Sequence, residues 1–372
     1  MNTLGKVSTL IILSSLAVSR SLGAPAMAVG DNAELLLTAS ANVSYDDNIY
    51  LRHTGVTRDT IWNFIPGVQF VFGQKAATNG QFSLQEDFLK YSSNSKQDAN
   101  LANANFKSNY SDGKSKLNLS AGYQQLSQND TSVPGAIVDR DLTNGGVTGE
   151  VALSDKTTVS LGALYDKTHY KLSSYSTWSD TSVPLDAYFE VSPKLEASLG
   201  YRYRDTSVTG PGSDSKDHFL NIGARGEFSP LLTGQVRIGY STRSSAGAAR
   251  QNLLGVQSNL DYSASQKTSL HLGIDNGFGN AANGSNTKNR SITLGAVNQF
   301  SDQWALNLNL TSLAVAYPTR TDNYLEGAVG ASFVYNTHLN FTASYTYRQN
   351  GSVLSGNKFT NNVFNFGASI RY

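Results

Sequence analysis

The chain contains no cysteine. That excludes disulfides, a thiolate metal site and a cysteine nucleophile. Its formal net charge is only +1, which argues against nucleic-acid binding through bulk electrostatics. No zinc-ligand spacing, Walker loop or dinucleotide fingerprint occurs. Histidine is scarce, with 5 in all. His53, His169, His218 and His338 fall at loops or strand ends. Only His271 takes an inward mid-strand position, with Asp275 four residues on along the same face, and no serine is identified to complete a dyad. The sequence therefore predicts neither an enzyme nor a cofactor. Asp46-Asp47-Asn48 has calcium-ligating chemistry, but a solvated loop is the favoured reading.

A long apolar run is also missing beyond the N-terminus, so no helix of spanning length is expected. The start of the chain reads as an export signal. Lys6 supplies the positive end, Val7 to Val18 is mostly apolar, and Ala26-Met27-Ala28 is a small-x-small cleavage site. The expected organisation is a signal peptide over residues 1–28 and one domain over residues 29–372. The mean hydropathy of -0.30 has the look of a soluble protein. It carries little weight for a barrel, whose strands alternate and whose lumen is polar.

What the sequence does have is alternation. In Lys358 to Tyr372, Phe364, Phe366, Ala368, Ile370 and Tyr372 recur at every second residue. Asn365, Gly367, Ser369 and Arg371 lie between them. Successive side chains of a strand point to opposite faces, so one face is apolar and the other polar. An edge strand of a soluble sandwich shares this pattern. Ending on an aromatic suits the closing strand of an outer-membrane barrel, read by the assembly machinery through Tyr372. The same alternation recurs upstream, beginning with Glu34 to Tyr45 and Arg58 to Phe72, where Pro66 implies a bulge or a break in the ladder. In Gln81 to Tyr91, Glu86 interrupts the apolar phase. A long loop is expected at Gln128 to Val138.

Roughly eighteen strands of about ten to fourteen residues follow, near the length that crosses a bilayer when tilted. Tight and long connections alternate strictly. The expected fold is all-β: a single transmembrane antiparallel up-and-down β-barrel with both termini periplasmic. Its place is the outer membrane of a Gram-negative bacterium, among lipid and lipopolysaccharide. Aromatics near strand ends, such as Tyr110, Tyr262, Phe300, Trp304 and Tyr335, suit interfacial girdles.

The polar phase defines a lumen too wide for side chains alone to fill. Glu150, Asp166, Asp186 and Glu190 fall on consecutive strands, and Arg202, Arg204, Arg225 and Arg237 on the next ones. Two arrangements satisfy this pattern. Adjacent acidic and basic walls would set up a transverse field, whereas inter-strand salt bridges would cancel it. Tyr188, also on the inward phase, is a candidate surface for sugar rings. A diffusion porin needs a constricting loop, yet no internal loop exceeds about a dozen residues on this reading.

One segment carries a resemblance. Ser44-Tyr45-Asp46-Asp47-Asn48-Ile49-Tyr50, then Arg58-Asp59-Thr60, then Pro66-Gly67-Val68, resembles the opening of the β-barrel porin family of bacterial outer membranes associated with exopolysaccharide export operons. The match is short; the remainder agrees in strand grammar and in its terminal aromatic. The resemblance implies a barrel through which a polysaccharide leaves the cell, working with a periplasmic export protein. A general or substrate-specific diffusion porin for small polar solutes is the alternative.

Overall fold

The computed structural model describes residues 26–74 and 76–372. Most of the expected export signal lies outside the described residues. A two-residue strand β1 (Met27–Ala28) pairs with the start of β2 (Ala33–Asp46). A ring then runs through β3 (Asp59–Phe72), β4 (Thr78–Tyr91), β5 (Ala99–Ser111), β6 (Ser115–Asp130), β7 (Val133–Ser154), β8 (Thr157–Tyr170) and β9 (Thr177–Ser192). It continues through β10 (Leu195–Thr209), β11 (Ser215–Ser229), β12 (Leu232–Ser245), β13 (Gln251–Ser265), β14 (Thr268–Asn280) and β15 (Asn286–Asn298). It ends with β16 (Trp304–Ala316), β17 (Thr321–Val334), β18 (Leu339–Gly351) and β19 (Phe359–Arg371).

Each ring strand pairs antiparallel with its neighbours, and β19 returns to β2. Phe364 lies opposite Tyr45, Phe366 opposite Val43 and Ile370 opposite Ala39. Tyr372 extends the seam by exchanging backbone hydrogen bonds of 2.9 and 2.6 Å with Leu37. The result is a closed eighteen-stranded antiparallel barrel, as expected. Closure removes both open edges, and a water-free bilayer core demands that. No helix among the described residues is long and apolar enough to cross a membrane; the strands cross instead.

The two phases separate as the sequence predicts. On β19, Phe364 and Phe366 are each 54% exposed on the outside, while Val363, Asn361 and Asn365 are buried inside. Below, the near rim is the end that carries the start of β2 and the end of β19; the far rim is opposite. Aromatics ring the near rim. Phe300 stacks on Trp304 at 6.3 Å between centroids, Trp304 meets Phe333 at 4.7 Å, and Tyr372 stacks on His338 at 4.3 Å. Exposed Tyr45, Trp62, Tyr165 and Tyr240 form a second band towards the far rim.

Two expectations need correction. The long loop at Gln128 to Val138 is strand: β6 runs to Asp130 and β7 begins at Val133, so the two project as a hairpin. Tight and long connections do not alternate strictly, since residues 281–285 and 299–303 join their strands with equal lengths at opposite rims. Glu86 interrupts the apolar outer face, as its place in the alternation predicts. Glu86 shares the outward phase of exposed Leu84 and Phe88, and the β4 register has no bulge to turn it inward. It stands opposite Pro66, where the β3–β4 pairing is interrupted between Phe64 and Gly67 without a shift of register. Proline has no N–H to donate, which accounts for the gap.

No continuous hydrophobic core exists among the described residues. Buried apolar side chains form small clusters inside the far rim: Leu51 with Leu313, Tyr324 and Phe359; Ile49 with Leu89 and Tyr91; and Val138 with Tyr170 and Ala282. The loop between β2 and β3 therefore turns inward. Leu51 adopts φ 51°, a left-handed conformation unfavourable to a branched residue. Its burial against β16, β17 and β19 holds it there.

Candidate functional site

The inner wall of β7 to β12 carries most of the charge singled out from the sequence. Arg225 on β11 reaches Glu150 on β7 with a two-pronged contact, at 2.7 and 3.1 Å. Its Nε donates to Glu196 on β10 at 2.6 Å. Four strand steps at about 4.8 Å each put roughly 19 Å of wall between β7 and β11. The 2.7 Å ion pair between them therefore runs as a chord inside the curved wall, spanned by the reach of both side chains. The Arg225 guanidinium lies 3.3 Å from the Tyr188 ring centroid, and Arg237 donates to the Tyr188 hydroxyl at 2.8 Å and to Asp186 at 2.9 Å.

Tyr188 is 1% exposed. One ring face is taken by a cation and its hydroxyl by another, so the ring offers no free surface to a sugar. The separate acidic and basic walls are likewise absent here. Glu150, Asp186 and Glu196 pair with Arg225 and Arg237, which is the salt-bridging arrangement. Glu190 lies at the near rim, exposed and in register with Glu196. Asp166 stands on β8 between Asn144 of β7 and Asp180 of β9.

A second network sits nearer the far rim. Asp217 on β11 accepts from Arg243 Nε at 2.6 Å and Nη2 at 2.9 Å, and from Arg204 Nε at 2.7 Å. Arg204 also donates to the Phe278 carbonyl at 2.8 Å, and Arg243 to the Gly279 carbonyl at 2.8 Å. These bonds skip β13 and draw the end of β14 over the lumen. Arg202 differs from its neighbours. It lies over the Phe219 ring at 5.3 Å and forms no hydrogen bond or ion pair with a described residue. Asp275 on β14 is coupled to it electrostatically and is also unpaired. His271 does not join Asp275; it contacts Asp261 at 2.9 Å.

The mouth is covered by the tips of several connections. Arg52 of the β2–β3 loop donates to the Gly135 carbonyl, and Gly135 N–H donates to the Tyr50 carbonyl at 2.7 Å. Ala282, between β14 and β15, donates to Ser132 Oγ at 3.3 Å and accepts from Ser176 N–H at 2.7 Å. Gly284 has φ 78° and lies so close to the Pro211 carbonyl that a Cβ there would collide with it. Only glycine fits this crossing. Asp130, beyond the span at the β6 tip, accepts from Arg140 at 2.6 Å and Tyr170 at 2.7 Å. Burial pushes its carboxyl up, but Arg140, Ser132 and Tyr170 outweigh this and hold it below the usual carboxylate range.

Residues 37–372 match the model of the family described as "Putative beta-barrel porin 2". The chain belongs to that family. It is a porin-type channel of the Gram-negative outer membrane and not an enzyme. No curated protein matches the sequence. Among solved structures it is similar to a BenF-like porin from Pseudomonas fluorescens, at 11% identity over 92% of this chain and 99% of that one, with TM-score 0.50. OpdQ from Pseudomonas aeruginosa is similar at 11% identity over 91% and 97%, with TM-score 0.49. OccAB2 from Acinetobacter baumannii is similar at 11% over 92% and 98%, with TM-score 0.49. At such identities the likeness concerns the fold alone.

In this porin the main features missed from sequence are Asp217, Arg243 and the mouth. Asp217 and Arg243 share the inward phase of Phe219 and Arg237, so alternation alone could have found them. The mouth had a fainter signal: Ile49 and Leu51 are apolar residues in an otherwise polar loop. Asp46 and Asp47 do not form an open ion site. Asp46 accepts from Asn361 at 2.6 Å and Asp47 from Asn362 at 2.6 Å, latching β19 to β2. Among the described residues no cluster suited to a metal ion occurs.

Proposed function

We propose that this porin is a passive diffusion channel for small polar solutes. The observation that carries this reading is the set of contacts that reach into the lumen and across its mouth. The Arg225–Glu150 brace crosses the inner wall, and tips from five connections meet over the mouth. Both narrow the bore that a polysaccharide would need, and Tyr188 is covered. The exopolysaccharide conduit and its periplasmic export partner thus find no support in the lumen. The unpaired Arg202 and Asp275 remain free to meet a passing charged solute. The near rim, with Tyr372 and its aromatic band, would face the periplasm, and the C-terminal strand would be the segment read by the barrel-assembly machinery.

Proteoliposome swelling and planar bilayers test this. Monosaccharides and amino acids should pass, and oligosaccharides of many units should not. Arg202→Gln should lower the permeability ratio for anions, and Asp275→Asn should raise it. Passage of long oligosaccharides at the monosaccharide rate would favour the export conduit and end the proposal.

A further inference from the structure

The outer surface carries an anomaly on β15. Lys288 and Arg290 are exposed and in phase with the outward Ile292 and Leu294. Neither makes a hydrogen bond or ion pair with a described residue. A cation facing hydrocarbon costs about 2–4 kcal/mol at the midplane and near zero at the interface. Both lie close to the far end of the strand, so they belong at headgroup depth. Arg250, exposed just before β13, adds a third cation on the same side and donates to Thr242 at 3.0 Å. The carboxylates of the surrounding strands, Asp261, Asp275, Asp322 and Glu326, are on the inward phase.

Further along the same wall is an apolar hollow of about 940 Å³. Leu272, Leu294, Leu310, Val329 and Tyr345 line it, and Gly295 and Gly327 thin the wall there. Four residues of strand separate Arg290 from Leu294, about 13 Å at ~3.3 Å per residue. A chain anchored by its headgroup at Arg290 would run over Ile292 into the hollow. The hollow reaches from Leu232 on β12 to Tyr345 on β18, six strand steps or roughly 29 Å at about 4.8 Å each. An extended acyl chain is about as wide as one step, so a two-chain lipid would leave much of it unfilled.

We propose that this face is a binding site for a phosphorylated, multiply acylated glycolipid of the lipid A type. Lys288 and Arg290 hold a phosphate, and acyl chains lie in the hollow below. The site rests on the reading that the far rim faces the outer leaflet.

Native mass spectrometry of the full purified barrel tests it. The probes are bisphosphorylated hexa-acyl lipid A, its fully dephosphorylated form, and phosphatidylglycerol. The intact protein should retain bisphosphorylated lipid A at least tenfold better than the other two. Lys288→Gln with Arg290→Gln should abolish that preference. Leu294→Trp, which intrudes on the hollow beneath Ile292 and leaves the cations in place, should also lower retention. Heat-modifiable mobility checks folding, and single-channel conductance should be unchanged in all variants, which keeps this result separate from the porin reading. Equal retention by the double variant, or equal binding of phosphatidylglycerol, would overturn the site.

Discussion

Asp217 is the residue on which the far-rim network turns, and Asp217→Asn tests it at nearly constant volume. The carboxylate is 4% exposed and Arg243 is 1% exposed. Asparagine keeps the shape but leaves two guanidinium groups facing a neutral amide. Removing one partner of a buried ion pair costs about 3–5 kcal/mol, because the remaining charge stays desolvated. Two guanidinium groups share this one carboxylate, so the losses are not additive. Arg204, at 13% side-chain exposure, keeps some contact with lumen water and adds little. The expected loss is therefore about 3–5 kcal/mol, most of it through Arg243. Pairing Asp217→Asn with Arg243→Met should recover about half or more, since an apolar side chain replaces the stranded charge. The assay is urea unfolding of barrels refolded into lipid vesicles, followed by tryptophan fluorescence, with the denaturant slope checked for constancy. A loss below about 0.5 kcal/mol would mean that water screens the network as it screens a surface pair, and the account of a dry, load-sharing cluster would fail.

Glu86→Leu should stabilise the barrel by about 1–2 kcal/mol in the same assay, because a carboxylate on the lipid face costs somewhat less than the 2–4 kcal/mol of a basic residue; a loss of stability would show that Glu86 has a partner in the membrane. The mouth contacts held by Asp130 should respond only to strong acid. Its folded carboxyl is held below the unfolded value of about 3.9, so its contribution is complete above that value and is lost as pH falls through the folded one. Single-channel conductance should stay level from pH 7 to pH 5 and change only below about pH 4; a step between pH 7 and pH 5 would assign the mouth to another group.

The barrel was legible because a bilayer enforces period-two alternation on every crossing strand, and Phe364, Phe366 and Ile370 obey it to the end of the chain. The hairpin at Asp130 and Val133 was hidden for the same reason. Beyond the bilayer both faces meet water or other loops, the alternation disappears, and a polar strand has the composition of a loop. The lumen was half legible. Phase, which is local, puts Arg225, Arg237, Glu150 and Asp186 on the inward side of their strands, where they pair with one another. It could not say that Arg225 reaches Glu150, 75 residues away, or that Tyr188 lies under that guanidinium. Those contacts depend on how sharply the wall bends between β7 and β11, and curvature is a property of the closed ring. Two barrels with the same inward residues and different curvature would hold different charges free. In this one Arg202 and Asp275 are left over, and no strand read alone distinguishes Arg202 from Arg204 two residues on. On the reading proposed above, what this porin admits follows from the charges left unpaired, and those are fixed only when the last strand meets the first.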